Sequence, residues 1–219
     1  MGRTLRRLVG DEVWTKLLDL AFERRHEAGV TLLRQGEAGT HVLALRSGVA
    51  KVIRRERSGD LTLLAFRGPG ELLGEVAVLD DGVRSASVLT ISECVVGVMS
   101  KAEFLRFVTD HDLFPLLVRY ALTRLRESDL ARGGGDVVGR LAVTLAGLAV
   151  ISADSDVGTG RGLELALTRN ELAQYLGISR NTVTAALADL EYVRVEVARK
   201  RIVINDLPAL RRVASGIQD

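Results

Sequence analysis

Cysteine, histidine and long apolar runs are what this sequence has least of, and each shortage removes a class of function. A single cysteine in 219 residues, Cys94, leaves no intrachain disulfide framework and too few thiolates to hold an iron–sulfur cluster. It stands in the apolar run CVVGVM, where a buried strand residue is expected rather than a ligand or a nucleophile. The three histidines, His26, His41 and His111, are scattered, and there is no H-x-H pair. A metal-dependent oxygenase on a β-roll needs clustered His and carboxylate ligands, so neither an enzyme nor a metal site is expected, and no histidine stands out as an axial haem ligand. The longest apolar stretch, Leu141 to Ile151, is too short to cross a bilayer. Arg3, Arg6 and Arg7 are not followed by the apolar run that a signal peptide requires. A soluble cytoplasmic protein with no membrane partner is the expectation. The net charge of +2 is small for a nucleic-acid binder, so the placement of the cations matters more than their total.

What the chain does have is most specific between Leu167 and Glu191, LTRNELAQYLGISRNTVTAALADLE. Thr168 followed three residues later by Glu171 is a capping box that starts a helix. Leu172, Ala173 and Leu176 give that helix a buried face, and Gly177 supplies a residue that tolerates positive φ at the turn. Ser179 is a good N-cap for a second helix, whose Val183, Leu187 and Leu190 fall on one side. Arg180, Asn181, Thr182 and Thr184 then project from its first turns, where a helix-turn-helix presents side chains to base edges in the major groove. Val193, Val195 and Val197 alternate with polar residues, the ARKR sequence turns the chain, and Ile202 and Ile204 alternate again. This is the pattern of a β-hairpin. Arg199, Lys200 and Arg201 at its tip are candidate phosphate contacts, as in a wing. Double-stranded DNA is the expected partner.

The hydrophobic content of 47% is ample for well-formed cores, and the length allows one large or two ordinary domains. Gly133, Gly134 and Gly135 are poorly compatible with a helix interior, so a hinge is placed there, dividing an N-terminal domain over 1–132 from a DNA-binding domain over 133–219. From about Val30 to Met99, short alternating runs broken by glycines predict an antiparallel β-sandwich or roll. A helix near Asp11 to Phe22 precedes it, and Ser100 caps another that runs to Val108. A long helix is expected over about 112–131. Phe114, Val118, Ala121, Leu125 and Ser128 recur along it at steps of four and three, a seam suited to an identical helix in a homodimer. Leu113, Leu117 and Tyr120 form a second apolar face for packing on the roll.

Within the roll, PGELLGEVAVLDDGVRSASV places Gly74, Glu75 and Val76 at the start of a short helical stretch that returns to Arg84 and Ser85. Backbone N–H groups, a planar guanidinium and a hydroxyl can together hold a small phosphate, and Glu75 suits a ribose 2′-OH. Equally, the glycines can serve as turns while Arg84 pairs with Asp80 or Asp81 at the surface, a contact worth only ~0–1 kcal/mol.

In its order of roll, GELLGEVAVLDDGVRSA loop, long helix, hinge and TRNELAQYLGISRNTVTAALADLE, the chain resembles the cyclic AMP receptor protein and FNR family of bacterial transcription regulators from about Leu32 to Ile204. The resemblance implies an α+β fold. Its N-terminal part is a β-roll of the cyclic-nucleotide-binding, double-stranded β-helix type, followed by a long dimerisation helix and a C-terminal winged helix-turn-helix. It implies effector contacts at Gly74, Glu75, Arg84 and Ser85, and base reading from Ser128. It further implies cyclic AMP or cyclic GMP as a non-covalent effector, and a homodimer on a palindromic operator that recruits RNA polymerase. The departures are local. Asp129 stands where cyclic-AMP-binding members carry a serine, which puts base identity in question. Asn181 and Ala185 replace a glutamate and an arginine of the recognition helix. The wing lacks a glycine at its turn, and the hinge is shorter. An empty pocket or a different effector on the same architecture is the alternative.

Overall fold

The structure is a computed structural model, and it describes residues 4–130, 136–153, 163–198 and 200–216. The chain forms two compact units that divide between Leu130 and Ala131. The glycine triplet Gly133–Gly135 and the wing residue Arg199 lie outside the described residues, as do the side chains of Leu125, Ser128 and Asp129.

The first unit opens with α1 (Leu5–Val9) and α2 (Asp11–Leu20). The strands follow: β1 (Phe22–His26), β2 (Thr31–Leu33), β3 (His41–Ser47), β4 (Ala50–Arg55), β5 (Leu61–Arg67) and β6 (Leu72–Leu73). After the short helix α3 (Glu75–Leu79) come β7 (Ser87–Thr90), β8 (Cys94–Ser100), α4 (Lys101–Asp110) and α5 (Phe114–Leu130). The strands pair antiparallel into two four-stranded sheets, β1-β8-β3-β6 and β2-β7-β4-β5. β3 shows why the middle of its sequence, VLAL (Val42–Leu45), is apolar without a break. Successive side chains point to opposite faces, and both faces are covered. Leu43 and Leu45 join Leu33, Ala50 and Val88 of the other sheet in one core cluster. Val42 and Ala44 pack instead with Trp14, Phe104, Phe107 and Tyr120 of the helices. Each large side chain so buried stabilises the fold by roughly 1.5–3 kcal/mol. Cys94 is fully buried in the core between the sheets, and burial pushes its thiol up to about 12, so it is chemically quiet.

Ser100 caps α4 through a complete capping box with Glu103. α5 starts at Phe114 rather than at 112, because Asp112 takes φ +49 and breaks the helical path, while Pro115 fits the first turn where no N–H donor is needed. Leu113, Leu117 and Tyr120 are buried against the roll, whereas Phe114 and Val118 remain 48% and 58% exposed.

The second unit comprises α6 (Val137–Ala153), β9 (Leu163–Leu165), α7 (Arg169–Leu176), α8 (Arg180–Ala188), β10 (Val195–Ala198), β11 (Arg201–Ile204) and α9 (Leu207–Ala214). Its antiparallel sheet has the order β10-β11-β9. The hairpin starts later than its alternation predicts. Val193 belongs to a 3-10 turn over Glu191–Val193, and Arg194 at φ +57 redirects the chain before the strand begins. β9 and α9 are additions to the expected elements. Asp206 caps α9 through the Ala209 N–H at 2.9 Å, and Pro208 occupies its first turn. Among the described residues no helix is long and apolar enough to cross a membrane.

Candidate functional site

The roll loop is built around a close approach. Gly74 has φ +81, a left-handed conformation that a β-carbon disfavours. A β-carbon there would also sit 2.4 Å from Arg84 Nη1 and 2.8 Å from Leu33 Cδ1. Glycine therefore serves both the turn and the guanidinium beside it. Arg84 is only 4% exposed. Its Nη1 donates to the Gly74 carbonyl and its Nη2 to the His41 carbonyl, both at 2.5 Å. Its own backbone is fixed on either side, with N–H donating to Glu37 O at 2.8 Å and C=O accepting from Gly36 N at 2.9 Å.

This overturns the surface-pair reading of Arg84. Asp80 Oδ1 accepts from Gly82 N at 3.1 Å, and Asp81 pairs with Lys101. Among the described residues no carboxylate lies within ion-pair distance of Arg84, so its buried charge is met by neutral carbonyls. Burial lowers the guanidinium's affinity for its proton, and the fields of Glu75 and Glu37 partly restore it. Glu75 is half-buried, and burial pushes its carboxyl up to about 6 against the opposing pull of its own backbone N–H, Arg67 and Arg84. His41 is held below its usual range, first by burial and then by Arg84. The loop thus brings Gly74, Glu75 and Arg84 together. Val76 and Ser85 are exposed beside them. The carbonyl of His41 and the charge of Glu37 are participants that no sequence motif marks.

In the second unit, the two capped helices are assembled by local chemistry. Thr168 Oγ1 accepts from Glu171 N at 3.2 Å, and Thr168 N donates back to Glu171 Oε2 at 2.8 Å. Gly177 takes φ +67, and Ile178 N reaches back to Ala173 O at 3.0 Å to close the turn. Ser179 Oγ accepts from Thr182 N at 3.1 Å and lies 2.7 Å from Thr182 Oγ1. Val183, Ala186, Leu187 and Leu190 are buried, while Arg180, Asn181, Thr182 and Thr184 are exposed on the other side of α8. The Thr184 hydroxyl is spent on the Arg180 carbonyl at 2.9 Å. Those of Thr168 and Thr182 also serve the helix starts, which leaves Arg180 and Asn181 as the long polar groups at the tip. In the wing Lys200 is exposed, and Arg201 Nη1 pairs across the sheet with Glu164 Oε2 at 3.2 Å. Among the described residues no group of three or more His, Cys, Asp or Glu is placed to hold a metal ion.

Residues 23–111 match the cyclic nucleotide-binding domain, and residues 139–213 match the Crp-like helix-turn-helix domain. The chain is 33% identical over 206 residues to the CRP-like cAMP-activated global transcriptional regulator of Mycobacterium tuberculosis, spanning 91% of this chain and 89% of that protein. It is 30% identical over 213 residues to the Cyclic AMP receptor protein of Thermus thermophilus, spanning 91% and 93% of the two. A solved CRP-family transcriptional regulator from Thermus thermophilus shares the fold, with a TM-score of 0.60, 24% identity and coverage of 88% of this chain and 96% of that one. So does the c-di-GMP responsive global regulator CLP of Xanthomonas campestris, with a TM-score of 0.58, 21% identity and coverage of 89% and 99%. The protein is a transcription regulator that joins a cyclic nucleotide-binding domain to a DNA-binding helix-turn-helix domain. It belongs to the CRP/FNR family.

Proposed function

We propose that this chain is a homodimeric regulator whose affinity for a palindromic operator is set by a cyclic purine nucleotide held in the roll. The observation that carries the reading is the buried Arg84, a cation met among the described residues by carbonyl dipoles alone, beside the left-handed Gly74. A guanidinium has five N–H donors, and the two carbonyls leave others to turn to a phosphodiester. One cation suits one phosphodiester charge, and Glu75 suits the ribose hydroxyl. The names of the Mycobacterium and Thermus relatives favour cyclic AMP over cyclic GMP. Ser128 and Asp129 are the proposed base contacts from α5.

The dimer uses the exposed face of α5, where Phe114, Val118 and Ala121 lie open and Leu122 adds to them at 50% exposure. Leu125 continues the same seam. Arg180 and Asn181 read base edges from the major groove, and Lys200, with Arg199 and Arg201, follows phosphate. The exposed Glu164 partner of Arg201 is readily exchanged for a phosphate oxygen, since such pairs contribute little. Recruitment of RNA polymerase in the cytoplasm completes the reading.

The alternative is a regulator that needs no nucleotide, and it has its own support in the two carbonyls that already hold Arg84. Calorimetry with cyclic AMP and cyclic GMP decides between them. Wild type is expected to bind one of them at micromolar concentration, and Arg84→Ala to lose it, because removing one partner of a buried charge-assisted hydrogen bond costs ~2–5 kcal/mol. No heat with either nucleotide, or equal affinity in the variant, contradicts the proposal.

A further inference from the structure

A second buried charge cluster lies next to the effector loop and is not used by the reading above. Its centre is Glu71, three residues before Gly74 and 8% exposed. Two arginines converge on its carboxylate. Arg124 of α5 places Nη2 3.1 Å from Oε1, and Arg67 of β5 places Nε 3.8 Å from Oε2. Gly68 N donates to Oε2 at 3.1 Å. The side chains of Arg67 and Arg124 are only 14% and 12% exposed. The Arg124 guanidinium lies 4.2 Å over the Tyr120 ring and donates to the Tyr120 hydroxyl. That hydroxyl accepts from Leu72 N at 3.1 Å and donates to Leu72 O at 3.2 Å.

The two residues that lead into the loop, Glu71 and Leu72, are therefore fixed to two successive turns of α5, at Arg124 and Tyr120. Apolar contacts alone would seat this helix, since Leu113 and Leu117 are already buried against the roll. A buried ion cluster is an expensive way to add to that, because desolvation offsets its Coulombic gain and apolar replacements are often as stable. What charge and hydrogen bonding add is a fixed register between loop and helix. The cluster also reaches the loop itself, as the charges of Arg67 and Arg84 both act on Glu75.

We propose that Arg67, Glu71 and Arg124 are positioning residues that tie the effector loop to α5, so that a change in the loop on effector binding is imposed on the dimer helix. Arg124 acts through Glu71, and Arg67 lies at the carboxylate's other oxygen. This inference rests on the cyclic-nucleotide reading of the Arg84 loop.

The test uses the full-length protein, with cyclic AMP and cyclic GMP as the probes. Calorimetry gives effector affinity, and anisotropy on a selected operator gives DNA affinity with and without effector. Couplings between sites are typically about 5–150-fold. In Glu71→Gln, nearly identical in shape to the wild type, and in Arg124→Met, effector affinity should stay within about threefold of wild type while most of that gain in DNA affinity disappears. Arg124→Lys, which keeps the charge, should recover part of the gain. Amide hydrogen exchange gives a readout independent of DNA: effector should change protection along α5 in wild type and not in Glu71→Gln. A full gain in both variants overturns the proposal, as does effector affinity falling in parallel with the gain, which would make the cluster part of the binding site instead. If Arg124→Met fails to fold, Glu71→Gln decides. Should wild type bind neither nucleotide, the effector reading itself has failed, an outcome distinct from a responsive wild type with equally responsive variants.

Discussion

Arg84 and Glu75 show how little of a site can be carried by its charges alone. One is a cation held by two carbonyl oxygens, the other a carboxyl half-buried beside it without a close ion-pair partner among the described residues. The Glu75 carboxyl is raised from 4.5 to about 6, so the folded state loses stability as the pH rises from the ordinary carboxylate range through about 6. The folded protein keeps this proton when the unfolded chain has lost it, so the stabilisation is fully present below the ordinary carboxylate range and is lost as pH rises through about 6. Glu75→Gln should accordingly melt at a higher temperature than wild type at pH 8, with the gap closing towards pH 4.5; a gap that does not change with pH would contradict the shift. At the DNA tip, Arg180 is expected to make a bidentate contact to guanine O6 and N7, and Asn181 to suit adenine. Arg180→Ala should cost ~1–3 kcal/mol per half-site and flatten the preference at one base pair, whereas Lys200→Ala should weaken all sequences alike and lower the salt slope by about one. Selection from a random DNA library separates the two, since most protein–DNA hydrogen bonds go to phosphate and Arg180 has that option too. The capping residues Thr168, Ser179 and Ser100 were legible because their partners lie three residues away. The carbonyl partners of Arg84 lie 10 and 43 residues away and carry no side-chain signature, so they were not.

Among the elements, α5 is the one whose two faces are written most openly in the sequence. Leu113, Leu117 and Tyr120 are buried and Phe114, Val118 and Ala121 exposed, which matches the division of the helix into a roll face and a free face. Leu122, off the strict seam, is equally open. A glutamate at this face would set like charges against each other across a twofold axis. Val118→Glu should therefore give a monomer by light scattering while keeping the melting behaviour of the roll, and an unchanged dimer mass would place the interface elsewhere. The roll itself was legible from alternation and glycine spacing, although the pairing of β3 between β8 and β6 was not, because register between distant strands leaves no local trace. α9 was not legible for a different reason. Its signals, Asp206 as N-cap and Pro208 in the first turn, follow closely on a strand and are residue types that also make turns.

For the whole molecule, the two units divide at Leu130 and Ala131, next to the glycine triplet. In the proposed function, effector capture falls to the first, DNA binding to the second and the connection to α5. An effector can alter DNA affinity only as far as it favours one conformation over another. The central claim is that a nucleotide on Arg84 sets DNA affinity. It is tested most directly by the anisotropy of a labelled operator, recovered from a random library, titrated with full-length wild type and Arg84→Ala in the presence and absence of cyclic AMP. Wild type should bind more tightly with the nucleotide, by about 5–150-fold, and Arg84→Ala should show no change. Equal affinity with and without nucleotide in the wild type would contradict it.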